Sequence, residues 1–189
     1  MAHQGMITRH HRTGDTTSQA VYSACENYRY SLTRAWDAAA PRLLFVMLNP
    51  STATELRNDP TVERCERRAR ALGCGAFRVT NIFAWRATDP GALRRVADPV
   101  GPHNDATIHD SATDWIGADD MIVAAWGNHG AHLGRGRAVA GVLALSQRRL
   151  FSFGLTKAGQ PRHPLYVGYA VTPECWRPAA LTISSNSAR

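Results

Sequence analysis

Two asparagines and one histidine are the residues of this sequence best placed to do chemistry. Asn49 stands in RLLFVMLNPST, residues 42–52, where an apolar run ends in Asn-Pro-Ser. Asn81 lies in FRVTNIFAW, residues 77–85, and His163 opens HPLY in the polar loop LTKAGQPRHPLYV, residues 155–167. An Asn amide offers a donor and an acceptor side by side, which matches an edge of uracil, thymine or cytosine. At a strand end it can also hold a water facing a sugar carbon without being a strong base. A neutral His can donate to a carbonyl oxygen that gains negative charge as a glycosidic bond breaks. The three jobs together describe N-glycosidic hydrolysis. Each residue also has a structural alternative. Asn49 before Pro50 can simply start a turn, Asn81 can make a buried structural hydrogen bond, and His163 can be a loop residue bonded to backbone.

Other chemistries lack their signatures. No segment reads GxxxxGK[ST], no GxGxxG follows the first apolar strand, and GxSxG is absent, which counts against a P-loop, a dinucleotide fingerprint and a serine-hydrolase elbow. The four cysteines, Cys25, Cys65, Cys74 and Cys175, include no CxxC pair. That argues against a zinc site or a disulfide framework and for a reducing, cytoplasmic setting. His129 and His132 lack an obvious third ligand, so neither metal nor other cofactor is expected.

The elements that must position these residues form a regular series. At 189 residues, 44% hydrophobic and 20% charged, the chain suits one domain with a real core. Residues 1–19 are polar and are expected to be a flexible tail, residues 20–178 a single domain, and residues 179–189 a second tail. AVYSACENYRYSLTRAW predicts a hairpin around Glu26-Asn27, and the doubly apolar RLLFVML a central parallel strand. Asp59 and Pro60 cap and open a helix that Gly73 stops, with Val62, Cys65, Ala69 and Leu72 on one face. Strands follow at FRVTNIFAW, DMIVAAWG and RLFSFG, separated by helical stretches. This alternation predicts a three-layer α/β/α sandwich around a mainly parallel four-stranded sheet, plus an N-terminal β-hairpin. In such sheets ligands sit at the carboxyl ends of the strands, which gathers Asn49-Pro50-Ser51, Asn81 with Arg86, Trp126-Gly127-Asn128-His129 and Arg162-His163 on one side.

No apolar run is long enough for a membrane span, and no secretory signal is visible at the N-terminus. The net charge of +7 comes almost wholly from arginine, Lys157 being the only lysine. A basic surplus of this kind favours polyanionic partners such as nucleic acid.

The blocks RYSLTRAW, RLLFVMLNPSTA, DPTVERC, VTNIFAWRATDP, DPVGPHND, AAWGNHG and GLTKAGQPRHPLY resemble a bacterial and phage family, domain of unknown function 1643. More distantly, their order and spacing are similar to the uracil-DNA glycosylase superfamily. MLNPS (47–51) resembles its first motif, with Asn49 where the water-positioning residue lies. VTNIFAWRATDP resembles its base-reading strand, with Asn81 at the Watson–Crick contact. HPLY (163–166) resembles its His-Pro-Ser-Pro motif. The resemblance implies that His163 stabilises the departing base and that Leu165 or Tyr166 acts as a wedge in the base stack. Met47 replaces the first glycine of the first motif and Ser51 its last glycine or tyrosine, and HPLY lacks the phosphate-contacting serine.

These readings assign Asn49 and His163 to catalysis, and Asn81, Phe83 and Met47 to the base. Ser51, Arg86, Lys157, Arg162, Leu165 and Tyr166 are assigned to DNA and its phosphates. The expected partner is nucleic acid, DNA first, for a monomer that needs neither metal nor membrane. Two alternatives stay open: an enzyme acting on free nucleotides or modified nucleosides, and a nucleic-acid-binding module without turnover.

Overall fold

Apolar side chains on both faces of Leu43–Met47 require a strand with neighbours on either side and cover above and below. In the computed structural model, which describes residues 5–178, that strand lies inside an eight-stranded mixed sheet. The strands are β1 (Met6–Thr13), β2 (Thr16–Ser23), β3 (Arg29–Ala35), β4 (Arg42–Met47), β5 (Ala76–Asn81), β6 (Met121–Ala124), β7 (Leu150–Ser152) and β8 (Glu174–Trp176). Their spatial order is β1-β2-β3-β5-β4-β6-β7-β8. The block β5-β4-β6-β7 is parallel; β1, β2 and β3 join it antiparallel on one side, and β8 on the other.

This corrects the expectation of a mainly parallel four-stranded sheet in a three-layer sandwich. The hairpin strands are part of the sheet, because β3 pairs directly with β5 from Leu32↔Val79 to Ala35↔Ala76. Residues 6–19, expected as a flexible tail, form β1 and the first part of β2. Their polarity misleads because β1 is an edge strand with most of its residues exposed. The link Gly14-Asp15, with Gly14 at φ +58°, is the two-residue turn that such a hairpin requires. Residues 179–189 lie outside the described residues.

Among the described residues three α-helices cover the sheet. Alternation along β4 sends Leu43, Phe45 and Met47 to the face covered by α1 (Pro60–Ala71), and Leu44 and Val46 to the face covered by α2 (Asn104–Asp110) and α3 (Arg135–Leu145). Each such side chain, fully buried, contributes about 1.5–3 kcal/mol. α1 begins as its sequence dictates. The Asp59 carboxylate accepts from the backbone N–H groups of Thr61 and Val62, Pro60 follows, and Gly73 at φ +73° ends the run. No helix among the described residues is long and apolar enough to cross a membrane.

Two sets of arginines fasten loops to this frame. From β3, Arg29 donates to the carbonyl of Ala53, while Arg34 donates to the Thr54 carbonyl and to Asn58. Tyr22 of β2 donates to the buried Glu55 carboxylate at 3.0 Å. The antiparallel flank therefore clamps the loop from Ala53 to Asp59. From α1, the buried Arg68 donates to the carbonyls of Val167, Gly168 and Val171 and lies 4.4 Å from the Phe153 ring centre. That contact holds the chain just beyond His163.

Candidate functional site

Beyond their last paired residues, β4 and β5 continue side by side. Ile82 and Phe83 donate to the carbonyls of Met47 and Leu48, and Ala87 donates to that of Pro50. The Asn49 side chain crosses this gap, its Nδ2 donating to the carbonyls of Pro50 (2.9 Å) and Ala87 (2.8 Å). Two carbonyl neighbours admit only the NH2 end of the amide, so the orientation is settled by chemistry. Oδ1 is left as a pure acceptor with no protein partner among the described residues. Asn49 therefore bridges the two arms through its NH2 group, and one oxygen is left free.

From β6 the chain passes Trp126 to Gly127, whose φ of +68° and ψ of −171° suit glycine. A Cβ there would meet the Cβ of His163 at an ordinary 3.4 Å, so it is the backbone conformation, and not the space, that calls for glycine. From β7 the loop folds back through a Thr156–Gln160 turn to Arg162, which donates its N–H to the Gly154 carbonyl. His163 then caps a short 3-10 turn, Pro164–Tyr166, by accepting the Leu165 N–H at Nδ1.

These strand ends enclose a cleft of about 460 Å³. Of the residues singled out in the sequence, it brings together Asn49, Ser51, Arg162, His163, Leu165 and Tyr166. Met47, Asn81 and Phe83 do not reach it. Asn81 is 1% exposed, and its Nδ2 has no hydrogen-bond partner among the described residues. It pairs in register with Met47, which is buried and accepts from the Cys65 thiol, while buried Phe83 packs 5.7 Å from the His132 ring. All three are sealed in the interior, so the base-reading trio expected from the sequence does not line the cleft. Arg86 lines a neighbouring trough, and Lys157 is exposed on the loop that closes back to Arg162 without lining either space.

His163 is electrostatically distinctive. Burial pushes its pKa down to about 4, against a partial upward pull from Asp59. The ring is neutral at pH 7, and because Nδ1 accepts a hydrogen bond the proton sits on Nε2. The cleft thus holds a fixed donor on one wall and a fixed acceptor, Asn49 Oδ1, on another. A His that titrates lower in the folded than in the unfolded chain stabilises the fold fully above pH 6.5 and progressively less as the pH falls toward 4. Urea midpoints measured from pH 7 to pH 4 should fall more steeply for the native protein than for His163→Gln. Parallel curves would show that His163 is not held neutral.

Sequence reading treated Asp59 only as a helix cap, yet it lines the cleft. Its Oδ2 also accepts from the Ala53 N–H at 3.2 Å. The signal was present: a cap that directly follows the loop leaving a parallel strand stands at the same sheet end as the strand's ligand-facing residues. Asn128 and Thr156 line the cleft too, joined by a 2.6 Å bond from Thr156 Oγ1 to Asn128 Oδ1 that leaves the Asn128 NH2 group free. Among the described residues no group of three or more His, Cys, Asp and Glu side chains is arranged to hold a metal ion.

A family model described as "Protein of unknown function (DUF1643)" matches residues 29–165, and the chain belongs to that family. Strands β1 and β2 precede the matched region. Comparison with curated proteins and with solved structures finds no match.

Proposed function

We propose that this member of the family takes a nucleobase, turned out of DNA, into the cleft and hydrolyses its N-glycosidic bond. One observation carries the reading: Asn49 and His163 face a single cleft from separate strand ends, one presenting only an acceptor and the other only a donor. The motif resemblance to uracil-DNA glycosylases points the same way, and the net charge of +7 suits a polyanionic substrate.

In this reaction Asn49 Oδ1 accepts a hydrogen bond from a water aimed at the sugar carbon. As the carbon–nitrogen bond breaks, its electron pair stays with the base, and His163 Nε2–H donates to the base oxygen that gains the charge. The water oxygen bonds to the sugar carbon, and a proton is released as the base departs, leaving an abasic sugar. A neutral imidazole suits this role because it donates without a charge that would have to be kept in a buried place. With Asn81 sealed away, ring recognition falls to groups on the cleft wall. Asn128 is the exposed amide whose NH2 group is free to read it. Tyr166, 76% exposed at the rim, is placed to stack on a base or to fill the gap that it leaves.

The test is incubation with oligonucleotides carrying uracil, mismatches and modified pyrimidines, followed by alkaline cleavage at abasic sites. Product from at least one substrate is expected, reduced about a hundredfold in His163→Gln. If no substrate yields product while the protein still binds the oligonucleotides, the hydrolytic reading fails.

A further inference from the structure

The cleft opens into a second space that its own chemistry does not use. This trough, about 530 Å³, shares Ser51, Thr52 and Thr88 with the cleft and continues to Thr54, Arg57 and Arg86. No carboxylate lines it. The nearby acids face elsewhere: Glu26 is paired with Arg9 at 2.5 Å, and buried Glu55 accepts from Tyr22. Arg86 donates through Nη1 to the Glu26 carbonyl at 3.1 Å and lies 5.3 Å from the Tyr22 ring centre. Its Nε is buried without a partner among the described residues, and it makes no ion pair there. The Arg57 side chain is exposed and has no protein partner among them. The hydroxyls of Ser51, Thr52 and Thr88 likewise have none.

We propose that this trough is a phosphate-binding subsite in which Arg57 and Arg86, with those three hydroxyls, hold a phosphate attached to the nucleoside whose base enters the cleft. The proposal rests on the nucleobase reading of the cleft and extends it to a residue, Arg57, that neither the sequence motifs nor that mechanism uses. Two guanidinium groups and several hydroxyl donors, with no competing carboxylate, match the charge and acceptor-only oxygens of a phosphate. The other candidate anion position at this end of the sheet, the start of α1, is already taken: Asp59 caps Thr61 and Val62 with its own carboxylate. The phosphate is therefore directed past the helix and into the trough. Because Ser51, Thr52, Ala87 and Thr88 are common to both spaces, a single nucleotide can span them.

Inorganic phosphate, titrated into the full chain and followed by amide chemical shifts, tests the subsite apart from the base. Saturable shifts at Ser51, Thr52 and Thr88 are expected, with affinity about tenfold lower in Arg57→Gln, an exposed substitution that spares the fold. Equal affinity in both proteins, or no saturable shift at these residues, would overturn the proposal. Deoxyuridine 5′-monophosphate and a short uracil-containing oligonucleotide then separate the two sources of phosphate. Weaker binding to Arg57→Gln by the mononucleotide alone identifies a free phosphomonoester, and by both ligands a strand phosphodiester. Loss in neither rejects the subsite. The hydrolytic reading stands or falls separately, on abasic product: a phosphate-dependent response without product keeps the trough and removes the reaction.

Discussion

Asn49→Ala is expected to lower the rate of abasic-site formation at least about a hundredfold while leaving affinity for the same oligonucleotide largely unchanged. The separation follows from how the amide is held. Its Nδ2 is committed to the carbonyls of Pro50 and Ala87, so only Oδ1 is left for chemistry, and in the proposed reaction that oxygen holds the water rather than the base or a phosphate. Removing it takes away an interaction with the attacking group, which should lower kcat with little change in KM. The same substitution leaves the Ala87 carbonyl without its side-chain donor, while that of Pro50 keeps the Ala87 N–H, at a stability cost of about 1 kcal/mol. Melting temperatures must therefore be measured beside the kinetics, at a temperature where both proteins stay folded. Asn49→Asp is the sharper control, since it sets carboxylate oxygens against the two carbonyls and should destabilise more than alanine. A folded Asn49→Ala that turns over at the native rate would remove Asn49 from the mechanism.

Which parts of this site can be read from the sequence depends on which physical rule governs each residue. Asn49 and Ser51 just after β4, and Arg162 and His163 in the loop that leaves β7, follow from the carboxyl-end rule, because parallel strands deliver such segments to one edge. Asn81 obeys the same rule and misses the cleft by a few residues. Its arm stays paired with the β4 arm through Ile82 and Phe83, and reaches the cleft only at Ala87 and Thr88. A polar residue in an apolar run cannot signal which way it faces when both faces of the sheet are covered. The polar N-terminal strands were hidden for the opposite reason. An edge hairpin with solvent around it needs little apolar alternation, and only the Gly14-Asp15 turn betrays it. The clamp was hidden for another reason: the hairpin around Glu26-Asn27 was expected beside the sheet, and Arg29 and Arg34 are buried once β3 pairs with β5. Each is almost fully buried, and burial pushes Arg29 down to about 10 while Asp59 pulls it back up.

Asp59 is where the clamp, the helix and the cleft meet, so Asp59→Ala should be the most damaging single change in this region. The substitution removes the cap from Thr61 and Val62, worth about 1 kcal/mol. It strands the buried N–H of Ala53, at about 1–3 kcal/mol. It also deprives buried Arg29 of the negative charge that favours its ionised form. A total loss of about 3 kcal/mol is expected, or a melting temperature lower by about 6–12 °C in a chain of this size. Asp59→Asn keeps an oxygen for the two helix N–H groups and should lose less. Removal of the carboxylate also takes away the upward pull on His163. Its pKa should fall below the native value, extending the acid-side loss of stability to lower pH in both variants. Nuclear magnetic resonance titration of the imidazole reads that shift directly. A melting temperature within about 2 °C of native for Asp59→Ala, with an unmoved His163 titration, would mean that the loop from Ala53 to Asp59 is held by Arg29, Arg34 and Tyr22 without it. In that case Asp59 would bear on the cleft only as wall.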